Sequence, residues 1–287
     1  MIRICAIVFL VSISSQLAFA QRGNACRTHS RACMPATLFN WWEAPQPLGE
    51  LGDIVTDRPD FTEASSTVGL GVAQLEAGYT FTLDGDDQAH SWGEPLLRIG
   101  LFANWFEFRI GVTPVSQSSL VGPQRVTQSG AEDLYLGAKI GLTPQEGILP
   151  ELAIIPQMTV PTGGAAFTDG QVHPGANLLY SWGISDELSF GGSTQYNSAI
   201  DGLTDRYAEW AQSLTVGASL AEDVGAYAEW FAFFPHSADT VKPEHYMNGG
   251  FTYLLSEDVQ FDIRAGLGLN DEADDFFVGT GLSIRFR

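Results

Sequence analysis

The stretch Phe276–Phe286 (FFVGTGLSIRF) decides the fold. Apolar side chains occupy every second position, and glycine or polar side chains fill most of the positions between them. Successive side chains of a strand point to opposite faces, so this period of two predicts a β-strand with one apolar and one polar face. The same alternation runs through Val259–Leu269 and recurs along the chain from about residue 67.

Two folds fit such strands. In a soluble β-sandwich the polar face meets water, whereas in a membrane barrel the apolar face meets lipid and the polar face lines the lumen. The alternation predicts twelve strands, an even number that brings both ends of an antiparallel barrel to one side. Their ranges are 68–83, 91–102, 105–114, 131–142, 151–161, 173–182, 187–197, 207–220, 223–234, 244–255, 258–269 and 275–286.

The connections between the predicted strands favour the membrane barrel. Long ones alternate with short ones, as extracellular loops alternate with periplasmic turns in outer-membrane barrels. The long set is 84–90, 115–130, 162–172, 198–206 and 235–243, and the short set is 103–104, 143–150, 183–186, 221–222 and 256–257.

Aromatic side chains fall in two groups along the apolar face. One group lies at the predicted periplasmic ends: Phe106, Trp182, Phe190, Phe261 and Phe286. The other lies at or near the opposite ends: Tyr79, Phe81, Tyr196, Trp210 and Phe276. Two such groups are typical of girdles at the two membrane interfaces, although strands favour aromatic residues in any case. The sequence therefore predicts an all-β fold, a transmembrane antiparallel up-and-down β-barrel of about twelve strands over residues 65–287.

The N-terminal residues do not belong to this barrel. Residues 1–20 have a basic residue, a short apolar run and a small-residue cleavage pattern, which predict a secretory signal peptide. A retained anchor is the alternative. Residues 21–64 are Pro-rich and predict an irregular periplasmic segment, in which Cys26 and Cys33 are candidates for a disulfide. Export predicts a multi-pass barrel in the outer membrane of a Gram-negative-type cell envelope, with outer-membrane lipid and the barrel-assembly machinery as partners.

The net charge of −20 excludes one class of partner. Nucleic-acid binding needs a basic stripe that neutralises phosphates, and the chain has none, so no nucleic-acid partner is expected. The acidity either keeps loops soluble or contributes to solute selectivity.

The polar face supplies the candidate lumen residues. They are Glu76, Arg98, Glu107, Arg109, Asp133, Lys139, Glu209, Glu229, Asp262, Arg264 and Arg285. Charges of both signs often stand two residues apart on one strand, as in Glu107 and Arg109, and can pair inside the barrel. Such pairs either brace a barrel of intermediate width or form a polar constriction that selects solutes by charge.

Catalytic signatures are missing from the sequence. It has no G-x-S-x-G elbow, H-E-x-x-H motif or P-loop, so no enzyme activity, metal or cofactor is expected. Ser193 and Ser213 fit lumen-lining positions better than catalytic ones. An outer-membrane hydrolase acting on lipids remains an alternative.

Three stretches resemble a known family. They are the motif Asp57-Arg58-Pro59-Asp60-Phe61-Thr62-Glu63, the stretch 74–79 and the hairpin formed by 95–100 and 106–109. They are similar to the outer-membrane transporter-like proteins grouped with the meta-pathway phenol-degradation family. The resemblance implies an outer-membrane channel for small solutes, aromatic or hydrophobic ones among them.

The motif itself has three interpretations. Arg58 between acidic residues and next to Pro59 is a rigid polar element that caps the periplasmic mouth, inserts into the lumen and pairs with charges there, or forms an ordinary turn. From the sequence we expect a channel or transporter for a small-molecule solute, with a lipid-acting hydrolase or a plugged structural barrel as the alternatives.

Overall fold

The computed structural model describes residues 52–287, which form fourteen β-strands. They are β1 (Ala73–Asp84), β2 (Asp87–Gly100), β3 (Phe106–Gly111), β4 (Pro114–Val121), β5 (Gln124–Ala131), β6 (Leu134–Thr143), β7 (Glu151–Val160), β8 (His173–Gly183), β9 (Leu188–Ile200), β10 (Arg206–Ala221), β11 (Val224–His236), β12 (Glu244–Ser256), β13 (Val259–Gly268) and β14 (Phe276–Phe286). Among these residues, no helix has the length and apolar character needed to cross a membrane.

Twelve of the strands form a closed antiparallel ring. The order runs β1, β2, β3, β6 and then β7 to β14 in sequence, and β14 returns to β1 with Ala73 opposite Phe286 and Leu83 opposite Phe276. Closure leaves no unpaired edge in the ring, which membrane-spanning sheets require. The predicted transmembrane antiparallel β-barrel of twelve strands is confirmed.

Two predicted long loops are wrong. Residues 115–130 form most of the hairpin β4–β5, which is paired from Pro114 with Ala131 to Val121 with Gln124 and turns at the left-handed Gly122. Most side chains of β5 are exposed, whereas Ser116, Gln117, Ser118 and Ser119 of β4 are half-buried. Residues 84–90 contain a two-residue turn, because Asp84 pairs directly with Asp87. Both hairpins extend the sheet where the sequence suggests a loop.

The first strand begins later than the sequence predicts. We expected a strand from residue 68, but β1 begins at Ala73. Gly69 and Gly71 have φ angles of 87° and 78°, so the backbone turns here instead of extending. The amide of Gly71 donates to the carbonyl oxygen of Gly100, which brings the chain to the barrel wall.

The two faces of the strands have the polarity of a membrane protein. Along β13, Gln260 and Asp262 are buried, whereas Phe261 and Ile263 are 42% and 45% exposed. Buried polar and exposed apolar side chains alternate in this way when the outer face meets lipid. The barrel is therefore an outer-membrane barrel with a polar interior.

The two ends of the barrel differ. One end, which we call the turn end, holds the start of β1, the end of β14 and turns such as 222–223 and 257–258. The opposite end, the loop end, holds the hairpin β4–β5 and the connections 161–172, 201–205, 237–243 and 269–275. In outer-membrane barrels short turns are periplasmic and long loops extracellular, which orients the molecule.

Candidate functional site: the plugged lumen

Most charged side chains that the sequence assigns to the polar face lie inside the barrel. Buried ones are Glu76, Arg98, Glu107, Arg109, Lys139, Glu209, Glu229 and Asp262. Arg264 is half-buried and donates through Nη1 to the carbonyl oxygen of Pro59 (3.0 Å). The structure thus gathers these residues, which are distant in sequence, in one enclosed space.

Two candidates lie at the ends of the barrel. Asp133, between β5 and β6, accepts a hydrogen bond from the amide of Gly163 (2.9 Å) at the loop end. Arg285 donates through Nε to Oδ1 of Asp258 (2.7 Å) at the turn end. Burial raises the pKa of Asp258, but hydrogen bonds from Arg285 and Arg287 outweigh it and hold that pKa below its ordinary value. These contacts join loops and turns to the barrel wall.

The chain itself fills the middle of the lumen. Residues 54–68, which we call the plug, enter at the turn end, where the amide of Ile54 donates to a carbonyl oxygen in the turn between β12 and β13 (2.8 Å). The plug reaches the middle of β11 at Thr62. It returns at Val68, whose amide donates to a carboxylate of β3 near the turn to β2 (2.9 Å). Of the three interpretations of the N-terminal motif, the structure therefore selects insertion into the lumen.

Five charged side chains on neighbouring strands form what we call the wall cluster: Glu76, Arg98, Glu107, Arg109 and Lys139. Arg98 donates through Nε to Glu107 (2.8 Å) and through Nη1 to Glu76 (2.8 Å). Arg109 donates to Glu107 at 3.2 Å. Cross-strand pairing places Arg98 opposite Arg109, and Glu107 opposite Lys139. The register of β2, β3 and β6 thus assembles the cluster.

The plug carries Asp57 into the wall cluster. Its Oδ1 lies 2.8 Å from Nζ of Lys139, and its Oδ2 lies 3.3 Å from Nε of Arg98 and forms an ion pair with Arg109. The amide of Asp57 donates to both carboxylate oxygens of Glu76, at 2.8 and 2.9 Å. Buried charges need such partners, because each loses its hydration.

Arg58 points toward the strands around the closure of the barrel. Its guanidinium forms ion pairs with Glu94 on β2 and with Asp262 on β13 (3.3 Å). Nη2 also donates to the carbonyl oxygen of Thr280 on β14 (3.1 Å). One plug residue therefore connects three strands that lie around the closure of the barrel.

The tip of the plug is held by one carboxylate. Glu229 on β11 accepts hydrogen bonds from the amides of Phe61 (2.6 Å) and Thr62 (2.7 Å), and from the side-chain amide of Asn248 (2.7 Å). The hydroxyl of Thr62 also lies 2.6 Å from that of Ser213. Charge-assisted hydrogen bonds of this kind are stronger than neutral ones.

An aromatic cluster surrounds the ring of Phe61. The ring stacks on Phe231 at 4.6 Å and meets Phe233 edge-on at 5.5 Å. Tyr246 and Phe277 complete the cluster, and all five side chains are buried. The aromatic side chains of the barrel thus form a slot that the plug fills.

The candidate serines lie within the lumen rather than on the lipid-facing side. Ser193 and Ser213 are fully buried, and their hydroxyls are 2.8 Å apart. Together with Thr62 they form a hydrogen-bonded group between the plug and the wall. Their arrangement therefore attaches the plug to the wall.

Sequence reasoning missed some contact residues of the plug. Glu94 shares the parity of Arg98 and is buried like it, but it directly follows the point where the alternation of β2 breaks, at Trp92 and Gly93. Gly93 and Pro95 inside a strand are the signal that marks this irregularity. Phe231 and Phe233 share the parity of Glu229, so the alternation places them in the lumen although their apolar character suggests lipid. The predicted signal peptide, Cys26 and Cys33 lie outside the described residues.

Comparisons with known proteins agree with this architecture. The family described as "Putative MetA-pathway of phenol degradation" matches residues 56–286. A crystal structure of an outer membrane channel from Pseudomonas putida F1 has a TM-score of 0.61 at 11% identity, covering 81% of this chain and 100% of that chain. No curated protein matches the sequence significantly.

Two further solved structures show weaker similarity. The NanC porin has a TM-score of 0.49 at 12% identity, covering 74% of this chain and 98% of its own. The CymD monoaromatic hydrocarbon channel has a TM-score of 0.41 at 12% identity, covering 75% of this chain and 88% of its own.

Proposed function

Because the chain belongs to the family of the MetA pathway of phenol degradation, and because its own N-terminal segment closes its barrel, we propose that it is an outer-membrane channel for small solutes. In this proposal the plug is the gate, the barrel interior is the pathway, and no chemical reaction takes place. In this proposal the inserted plug represents the closed state of the channel.

The path of the plug carries this proposal. Both its ends lie at the turn end, Ile54 beside the β12–β13 turn and Val68 beside β3. A segment that enters and leaves at one end can withdraw toward the periplasm without breaking the strand ring. Its charged anchors are ion pairs and hydrogen bonds of side chains, so they can break and form again.

The interior also suits a hydrated pathway once the plug withdraws. Twelve strands enclose more space than an eight-stranded barrel, whose side chains fill its interior. Here the plug occupies the space between the wall cluster and the carboxylates Glu229 and Asp262. Withdrawal leaves walls of both charge signs facing a space that water and small solutes can occupy.

The aromatic slot suggests which solutes bind inside. Phe61 demonstrates that Phe231 and Phe233 accept a flat ring by stacking and by edge contact. Aromatic pairs in these arrangements contribute beyond simple burial of area. We therefore include small aromatic and hydrophobic solutes among those that the open channel transports.

Two alternatives make different predictions. A lipid hydrolase needs a nucleophile, a base and an orienting group at the lipid boundary, whereas Ser193 and Ser213 face the plug. Hydrolysis of a lipid ester by the purified protein, abolished by Ser213→Ala, would favour this alternative. A structural barrel keeps its plug permanently, so it conducts nothing under any condition.

A disulfide lock tests the channel. The hydroxyls of Thr62 and Ser213 are 2.6 Å apart, so Thr62→Cys and Ser213→Cys place two thiols in reach of each other. Cys26→Ser and Cys33→Ser prevent other pairings. We expect ion conductance in planar bilayers when the lock is reduced and its loss when the lock is oxidised.

The two single-cysteine variants are the controls, and their conductance should not respond to oxidation. A protein that conducts equally with the lock oxidised and reduced would exclude the plug as the gate. A protein that conducts under neither condition, even with Arg58→Ala added, would favour the structural barrel.

A further inference from the structure

The carboxylate of Asp57 lies in a cradle of three basic side chains from three barrel strands. Arg98 comes from β2, Arg109 from β3 and Lys139 from β6, and all three are fully buried. They contact both oxygens of the carboxylate, Lys139 at Oδ1, and Arg98 and Arg109 at Oδ2. The amide of Ala64 donates to Oδ1 as well (3.0 Å). This cradle therefore surrounds a two-oxygen anion.

The cradle belongs to the barrel, whereas its anion belongs to the plug. Within the wall cluster the three cations face two wall carboxylates, Glu76 and Glu107, which leaves one positive charge in excess. The plug places two carboxylates beside these cations, Asp57 within the cradle and Glu63, whose Oε1 lies 2.8 Å from Arg109. When the plug withdraws, the cations lose these partners, and the positive charge in excess faces the open lumen.

We propose that Arg98, Arg109 and Lys139 form a binding site for the carboxylate of a solute, and that Asp57 occupies this site in the closed barrel. The proposal rests on the proposed function in one respect, since a solute reaches the site only when the plug yields. Guanidinium groups bind planar carboxylates through paired hydrogen bonds, and the lysine adds a mobile point charge. The excess of one positive charge suits a monoanion.

Competition follows from this arrangement. Asp57 and a solute carboxylate cannot occupy the cradle together, so each lowers the apparent affinity of the other. A carboxylate solute therefore favours the withdrawn plug, and a neutral solute of the same shape lacks this effect. The carboxylate of Asp57 thus takes the place of the solute carboxylate when the plug is inserted.

Chemical rescue tests the cradle without any need for conduction. Asp57→Ala removes the anion from the cradle and should lower the unfolding temperature of the full chain in detergent. Sodium formate should restore most of that loss, whereas sodium chloride at the same ionic strength should not. Sodium phosphate tests whether a tetrahedral anion binds equally well. If phosphate restored the unfolding temperature as strongly as formate does, the cradle would not be specific for carboxylates.

Thr62→Ala is the matched control, because it weakens the plug without emptying the cradle. Formate should leave its unfolding temperature unchanged relative to chloride. Equal stabilisation of both variants by formate, or no stabilisation of Asp57→Ala, would overturn the proposal.

A second measurement keeps Asp57 in place, so it tests the proposal even if the Asp57→Ala chain does not fold. In the Thr62→Cys chain, with Cys26 and Cys33 replaced by serine, a water-soluble maleimide labels the plug tip when the plug withdraws. Sodium benzoate should accelerate labelling several-fold over benzyl alcohol, and Lys139→Gln should reduce that difference. Equal labelling rates with the two compounds would contradict the proposal. Rescue by formate together with no conductance in any variant would retain the cradle and reject the channel.

Discussion

Gly78 of β1 and Gly281 of β14 face each other across the two strands that close the barrel. The guanidinium of Arg58 fills the space beside them, and a Cβ atom on either glycine would overlap it. The absence of two side chains therefore allows the plug to insert Arg58 between Glu94 and Asp262.

Replacement of Gly281 by alanine should release the plug without changing any charge. The added methyl group overlaps Arg58 and also Oδ2 of Asp262, so the ion pair between them must separate and Arg58 must leave its position. We expect higher bilayer conductance and faster proteolysis of the N-terminal segment. Gly141→Ala, on β6, is the control for a substituted glycine elsewhere, because a Cβ atom there makes only ordinary van der Waals contacts. Unchanged conductance and proteolysis in a folded Gly281→Ala barrel would show that Arg58 does not hold the plug.

Removal of the Arg58 side chain should have a larger effect. Arg58→Ala leaves the buried carboxylates of Glu94 and Asp262 without their cation, and breaking a buried ion pair costs about 3 to 5 kcal/mol. The free energy of unfolding should fall by that order, and the conductance should rise. Chemical denaturation and bilayer recording measure the two effects. Arg125→Ala, on the exposed hairpin strand β5, is the control, and a similar loss there would contradict a specific role for Arg58.

The ring of Phe61 should anchor the plug tip by packing alone. Phe61→Ala empties the slot between Phe231 and Phe233, and such truncations cost about 3 to 5 kcal/mol when the cavity persists. We expect a lower unfolding temperature and an increased open probability. Addition of phenol should restore part of the unfolding temperature, since its ring can fill the vacated slot. An unfolding temperature that phenol leaves unchanged would argue against a ring-binding slot.

The loop between β13 and β14 should respond to pH through Asp274. Burial raises the pKa of Asp274 from 3.8 to about 7, and the neighbouring carboxylates Asp84 and Asp275 add to the rise. Because the folded state holds this proton more tightly than the unfolded chain, its contribution to stability is complete below the unfolded pKa. That contribution is lost as the pH rises through the folded value near 7.

Asp274→Asn keeps the neutral form at every pH and removes this dependence. We compare the unfolding temperature of the variant with that of the wild type. The variant's advantage should grow as the pH rises from 3.8 to about 7, and it should stay constant at higher pH. Thermal unfolding across this range measures the difference. Asp271→Asn, at an exposed position of the same loop, should show no such trend. A flat difference for Asp274→Asn would show that its carboxyl titrates normally.

The barrel is the part of the structure that the sequence predicts best. Along β13, the alternation of Gln260, Phe261, Asp262 and Ile263 specifies a strand, and it also specifies which side is polar. The signal is strong because a strand has a side-chain period of two, and a shift by one residue reverses every side chain. It fails at Trp92 and Gly93, where the strand is irregular, and it does not distinguish the hairpin β4–β5 from a loop.

The candidate site could be predicted only in part. Alternation identifies Arg98 and Glu107 as members of the polar face, because that property depends on local position along each strand. It does not identify Asp57 as the anion between Arg98 and Lys139, which lie 41 and 82 residues away in sequence. Contacts of that kind depend on the path of an irregular segment. Such a segment has no regular spacing of hydrophobic side chains from which its path could be predicted.

The sequence by itself determined a twelve-stranded barrel with an apolar outer face, because strand periodicity and membrane polarity are local properties of each segment. Only the tertiary structure decided that residues 54–68 enter the lumen and that Asp57, Arg58 and Phe61 each occupy a separate site there. The physical reason is that burial of these charges is tolerated only where the closed ring of strands brings opposite charges from distant segments within ion-pair distance.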